Sequence, residues 1–177
     1  MKLKTFIAVG SIVILSACGT TTYQATDSNA LTVAIAPASL QTSFAAQYPR
    51  ANMVVWRHYT PVVVTPIDWE LAGFAAMDNN DYVVEFTQDG EYYYTWYHDS
   101  GNWVGSAYTL KDLSATPPAI TGTIRNKYPY YIINTVTKEF KNNTITYEVE
   151  LKNTESKVKL LMDENGNILK EKSKIAE

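Results

Sequence analysis

The 177 residues carry 46% hydrophobic side chains, 15 Lys and Arg against 18 Asp and Glu, and a single cysteine. A formal charge of −3 argues against nucleic acid as a partner, which needs a basic footprint, and a lone cysteine excludes an internal disulfide. The apolar content suffices for one domain or two small ones, held together by packing alone.

Lys2 and Lys4 precede an apolar stretch from Phe6 to Leu15 whose only breaks are Gly10 and Ser11. This is a signal-peptide core over residues 1–17, too short to span a bilayer as a stable helix. It ends in Leu15-Ser16-Ala17-Cys18, which resembles the bacterial lipoprotein box: an aliphatic residue, two small residues that fit the peptidase, then the cysteine that is acylated. The alternative is an ordinary secretory signal with a chance cysteine, but Cys18 is the only cysteine and sits at the required position. Several acyl chains at roughly 0.8 kcal/mol per buried methylene would make the anchor effectively permanent. Cleavage removes Lys2 and Lys4, leaving 13 basic and 18 acidic residues and a net charge of about −5.

Residues 18–32, rich in Thr, Ser, Asn, Gln and Asp, read as a lipidated flexible tether. Gly19 after Cys18 fits sorting to an outer membrane, so the expected location is the cell envelope, on the outer membrane facing the periplasm, with surface exposure as the alternative. No later apolar run approaches membrane length.

From Val33 onward the sequence matches itself. At an offset of 80, Pro37, Leu40, Phe44, Tyr48 and Pro49 fall on Pro117, Ile120, Ile124, Tyr128 and Pro129. Apolar residues at i, i+4 and i+8 make one face of a helix, opened by one proline and stopped by the next. At an offset of 65, Tyr82, Glu85 and Phe86 fall on Tyr147, Glu150 and Leu151, and Gly101-Asn102-Trp103-Val104 on Gly166-Asn167-Ile168-Leu169. The drop in offset places an insert of about fifteen residues in the first copy, within 60–79.

The expected strands are 54–59, 81–87, 92–97 and 103–108 in one copy, and 132–137, 144–152, 157–162 and 168–172 in the other. Gln88-Asp89-Gly90, Asp99-Ser100-Gly101 and Glu164-Asn165-Gly166 supply the turns. The fold class is therefore α+β: two tandem repeats, 33–112 and 113–177, each one helix packed on an antiparallel four-stranded meander, with the two sheets joined edge to edge as an option.

The run of helix, Tyr-Pro, strand carrying Trp56, the strand Tyr82-Val83-Val84-Glu85-Phe86 and an Asp-to-Gly hairpin resembles the PepSY-like domains, also described as similar to β-lactamase-inhibitor protein. The resemblance covers nearly all of 37–172 and its motifs are structural. It implies a non-enzymatic module that binds or restrains another envelope or secreted protein. The insert departs from the short strand connection usual in that family.

One copy interprets the other. Val158, Leu160 and Met162 alternate with Lys157 and Lys159, so the first set faces the helix. Carried back, Tyr93, Thr95 and Tyr97 form the core set, and Tyr92, Tyr94 and Trp96 face away from it. Three large aromatics on that face read either as a protein-binding patch or as a surface covered by the insert. Trp69 and Phe74, in the insert, are the next candidates for binding.

Chemistry finds little purchase. His58 and His98 are the only histidines and neither sits in a motif with a nucleophile, so no enzyme is expected. Residues 163–167 are spaced somewhat like a calcium loop, but the closing glutamate would fall at Lys174, and 78–81 reads as a turn; neither metal nor cofactor is expected. Two functions stay open: protein binding, with inhibition as one form, or a passive or small-ligand-carrying envelope component.

Overall fold

A computed structural model describes residues 33–61 and 65–175. Contacts divide the chain into one unit over 1–30 and another over 31–177; the described residues all lie in the second. The signal peptide, Cys18 and the tether fall outside them.

Helix α1 (Ala38–Gln47) follows Pro37, whose fixed φ suits a helix start. Leu40 and Phe44 lie on its buried face, and Tyr48 closes it with φ −126° before Pro49. Strand β1 (Asn52–His58) comes next, then the insert with the short helix α2 (Trp69–Ala72). Strands β2 (Tyr82–Gln88), β3 (Glu91–Tyr97) and β4 (Trp103–Thr109) complete the first half. After a 3-10 turn at Leu113–Ala115, helix α3 (Pro118–Lys127) leads into β5 (Ile132–Lys141), β6 (Thr144–Lys152), β7 (Ser156–Asp163) and β8 (Ile168–Ile175).

All eight strands form one antiparallel sheet in the order β1 to β8. The two halves meet where β4 pairs β5, from Ser106 opposite Phe140 to Thr109 opposite Thr137. β5 runs four residues past its expected end at Thr137: residues 138–141 extend the hairpin with β6, and 138–140 also pair with β4. The hairpins use the expected turns, with Asp89 at φ 52° beside Gly90 at φ 85° giving the primed geometry that suits the sheet twist.

Both helices lie on the same face. Leu40 and Phe44 pack on Val84, Phe86 and Tyr97 in the first half, and Ile120 and Ile124 pack on Val136, Val149, Leu151 and Leu160 in the second. A third core, on the opposite face, joins Ile67 and Phe74 of the insert to Val83, Trp96, Val104 and Ala107.

That opposite face is concave. Trp69 at one end of α2 touches Trp96 on β3, while Glu70, the next residue, bonds Lys172 on β8. In a flat sheet β3 and β8 would stand roughly 24 Å apart at the usual strand spacing, a gap a four-residue helix reaches only if the sheet curls around it.

Candidate functional site

Strand alternation divides β3 as expected. Thr95 and Tyr97 are buried on the helix face with Tyr93 packed beside them. Tyr92, Tyr94 and Trp96 form a ladder on the concave face, with ring centroids 5.4 and 6.2 Å apart.

Their exposure requires a correction. Trp96 is 0% exposed, boxed by Trp69 and Phe74 with ring centroids 5.4 and 5.6 Å away. Phe74 is itself buried and Trp69 is partly buried against the same cluster. The covering role of the insert therefore prevails for Trp96 and Phe74: the two rings pack edge to face, and neither offers a surface to a partner while the insert is seated. Tyr92 remains 40% exposed and Tyr94 half-buried.

These two tyrosines line an open groove of about 440 Å³ together with Thr65, Pro66, Thr109, Leu110 and Lys111. The insert forms one wall and the end of β4 the other. At its rim the Tyr92 hydroxyl donates to Glu85, whose other oxygen accepts from Arg57 Nε at 2.8 Å. Burial and the Glu85 carboxylate push both tyrosine hydroxyls above their ordinary value, so both groups stay neutral hydrogen-bonding donors. Lys111 Nζ is turned onto the Gly90 carbonyl.

Beyond the groove the concave face becomes a charge lattice that grips the insert. Asp68 caps α2 and lies 3.1 Å from Lys172 Nζ, and its own N–H donates to Glu148 Oε2 at 2.6 Å. Lys159 links Glu148 at 3.0 Å to Asp68 at 3.8 Å. Burial alone would raise the Asp68 carboxyl, but the Lys172 bond and the charges of Lys159 and Lys172 outweigh it and hold it below its ordinary value. Lys170 Nζ donates to the Glu70 carbonyl at 3.0 Å, and Lys141 Nζ to that of Gly73.

Glu139, which the sequence reading did not single out, is fully buried on this face. Burial, then the nearby Glu148 charge, pushes its carboxyl up to about 7. The signal for it was an acidic residue in a strand position facing the insert, visible only once β5 is known to continue past Thr137.

His98 and Asp81 do meet, at 3.1 Å, but Asp81 also accepts the backbone N–H groups of Asp78 and Asp99, so the pair closes two turns. Asp163 likewise accepts from the N–H groups of Asn165 and Asn167 and holds the β7–β8 turn. Among the described residues no group of three or more His, Cys, Asp or Glu is placed to hold a metal ion. No helix among them is long and apolar enough to cross a membrane.

Helices α1 and α3 on one face of a single antiparallel sheet, with the insert on the opposite face, define an α+β fold. The family model described as "Putative beta-lactamase-inhibitor-like, PepSY-like" matches residues 80–170, from the end of the insert into β8, and the chain belongs to that PepSY-like family. Among solved structures, a BLIP-like protein from Bacteroides fragilis is similar at 20% identity and TM-score 0.62, over 79% of this chain and 87% of that one. A DUF2874 family protein from Bacteroides ovatus gives 20% identity and TM-score 0.61 over 79% and 89%. A Bacteroides eggerthii structure described as "putative periplasmic proteins" gives 18% and 0.59 over 79% and 90%. At these identities the likeness shows the fold alone. No curated protein matches the chain.

Proposed function

We propose that this chain is a lipid-anchored, non-enzymatic envelope protein that binds another protein in the groove floored by Tyr92 and Tyr94. The observation that carries this reading is the pair of tyrosine rings lying open on a concave sheet face beside Pro66 and Leu110. Rigid aromatics with polar tips give large contact area at small entropic cost, which is why interfaces are enriched in them. A partner loop would set an apolar side chain on the rings and find donors and acceptors in the Arg57–Glu85 pair at the rim. The inhibitor-like description of the family supports a protein partner, and the periplasmic description of one structural neighbour supports the compartment. Lipidation at Cys18, with the outer membrane facing the periplasm as its place, rests on the sequence Leu15-Ser16-Ala17-Cys18.

The halves are read as fused copies, 33–112 and 113–177, because both helices end alike. Tyr48 and Tyr128 have φ −126° and −128°, and each donates its N–H to the carbonyl four residues back at 2.8 Å.

The test is capture from solubilised envelopes, comparing the wild-type chain with a Tyr92→Lys/Tyr94→Lys double variant. These are the residues at the matched positions Lys157 and Lys159. Loss of a specific partner by a double variant that is still folded at the capture temperature supports the groove; equal capture by both chains overturns it. A second reading, carriage of a small ligand, draws on the groove's volume, which lies within the roughly 300–1,000 Å³ of ligand sites. It predicts a co-purifying small molecule in native mass spectrometry that the double variant lacks. Cys18→Ser should abolish lipid labelling, and unchanged detergent partitioning of that variant would sink the anchor.

A further inference from the structure

Glu139 lies on β5 between Ala107 of β4 and Thr146 of β6, on the concave face beneath the insert. One carboxyl oxygen accepts from Thr146 Oγ1 at 3.1 Å; the other, Oε1, is buried with no hydrogen-bond partner. The charged groups around it come from every neighbouring element. Glu148 faces it from β6, Lys141 from its own strand and Lys170 from β8. Beyond Glu148 lie Lys159 of β7 and Asp68 of the insert, which Lys172 of β8 ties to Glu70, and Tyr94 of β3 stands in the same cross-strand row, with Ala107 between.

The cations are committed elsewhere. Lys141 and Lys170 bond the backbone carbonyls of Gly73 and Glu70, and Lys159 serves Glu148 and Asp68. A carboxylate in this position would therefore be charged, dry and half-satisfied, beside a second carboxylate, which is a costly state that a proton removes. The alternative relief is water; the insert flanks the site, with the Asp68 N–H on Glu148 and the Gly73 carbonyl on Lys141, so its release would open the way to water.

We propose that Glu139 is a proton-dependent latch: neutral while the insert is seated, it loosens the insert from the concave face as it ionises with rising pH, uncovering Trp69, Phe74 and Trp96. The linkage has one sign. A carboxyl raised when docked binds its proton more tightly in that state, so docking is fully supported below the ordinary value of 4.5 and loses support as pH rises to about 7. The inference stands without any partner, since it concerns only the insert and the sheet.

The test is hydrogen–deuterium exchange of residues 65–80 in the whole chain at pH 5.5 and 8.0, corrected for intrinsic exchange and referenced to α3 and β6. Opening of the insert should increase on the order of tenfold at the higher pH while the references hold, with acrylamide quenching of tryptophan fluorescence rising in parallel. Glu139→Gln should abolish the pH response. Glu148→Gln, which removes the like charge, should move the midpoint to lower pH. Equal protection of the wild-type insert at both pH values overturns the latch, as does a response that persists in Glu139→Gln, a midpoint unmoved in Glu148→Gln, or a loss spread over the whole sheet.

Discussion

A Cβ built on Gly105 would lie 2.6 Å from the Phe74 ring and 3.0 Å from the Phe140 carbonyl oxygen. Gly105 is on β4 opposite Trp96, so the missing side chain is the space into which the insert sets its aromatic. The first prediction follows from that fit. Gly105→Ala should cost about 1–3 kcal/mol, the usual range for overpacking, and the loss should fall mainly on the insert. Thermal melts give the total, and exchange of residues 65–80 gives its location; a silent variant would mean that Phe74 is not seated here.

Trp96 and Tyr92 share a face of one strand yet differ in exposure, 0% against 40%. Trp96→Ala should therefore cost about 3–5 kcal/mol, as for other buried tryptophans. Tyr92→Lys should cost about 1 kcal/mol, because it loses a rim hydrogen bond to Glu85 and one edge-to-face contact with the Tyr94 ring at a partly exposed position. Urea denaturation of both variants checks the contrast, and equal costs would contradict the cover.

The helix-closing tyrosines at matched positions are anchored unequally. The Tyr48 hydroxyl meets Ser106 Oγ at 2.5 Å, in a knot where Ser106 donates to Thr95 at 2.7 Å and Trp103 Nε1 to both. Its ring lies 4.7 Å from that of Phe86. The Tyr128 hydroxyl instead donates to Glu171 at 2.9 Å in an exposed position. Truncation of Tyr48 to Ala should cost about 3–5 kcal/mol, and Tyr48→Phe about 1 kcal/mol, more than Tyr128→Phe, whose lost partner is open to water. Melting temperatures of the two Phe variants decide it; a larger loss for Tyr128→Phe would reverse the assignment.

What the sequence disclosed and what it hid divide along contact range. Pro37, Leu40, Phe44 and Tyr48 announced α1 because helix start, buried face and stop are all local, and the Asp89-Gly90 turn was readable for the same reason. Alternation along β3 also placed Tyr92, Tyr94 and Trp96 together on the face away from the helix. Which of them meets water was not local: it depends on an insert after β1 whose Asp68 and Glu70 are held by Lys159 and Lys172, about ninety to a hundred residues away in sequence. Glu139 was hidden by the same cause, since what covers it comes not only from β6 but from β4 and the insert, which lie far away in sequence.

The last prediction concerns the acid side of insert docking. Asp68 is held below its ordinary 3.8 in the seated state, burial being outweighed by Lys172 and Lys159. A carboxylate lowered on folding gives a contribution that is full above its unfolded value and is lost as pH falls. Asp68 and Glu139 therefore act in opposite directions, and docking should be strongest near pH 4–4.5, between the ordinary values of the two carboxyls. Since the ion pairs are partly exposed and screened, Asp68→Asn should cost only about 0.5–1 kcal/mol at pH 5 in low salt. It should also flatten the acid limb: exchange protection of residues 65–80 falls below about pH 4 in the wild type and stays level in the variant. Added salt should narrow the gap between the two chains at pH 5. A wild-type insert that stays equally protected from pH 4 down to 3, where Glu139 is protonated in both states, would show that the lysine pairs do not hold it.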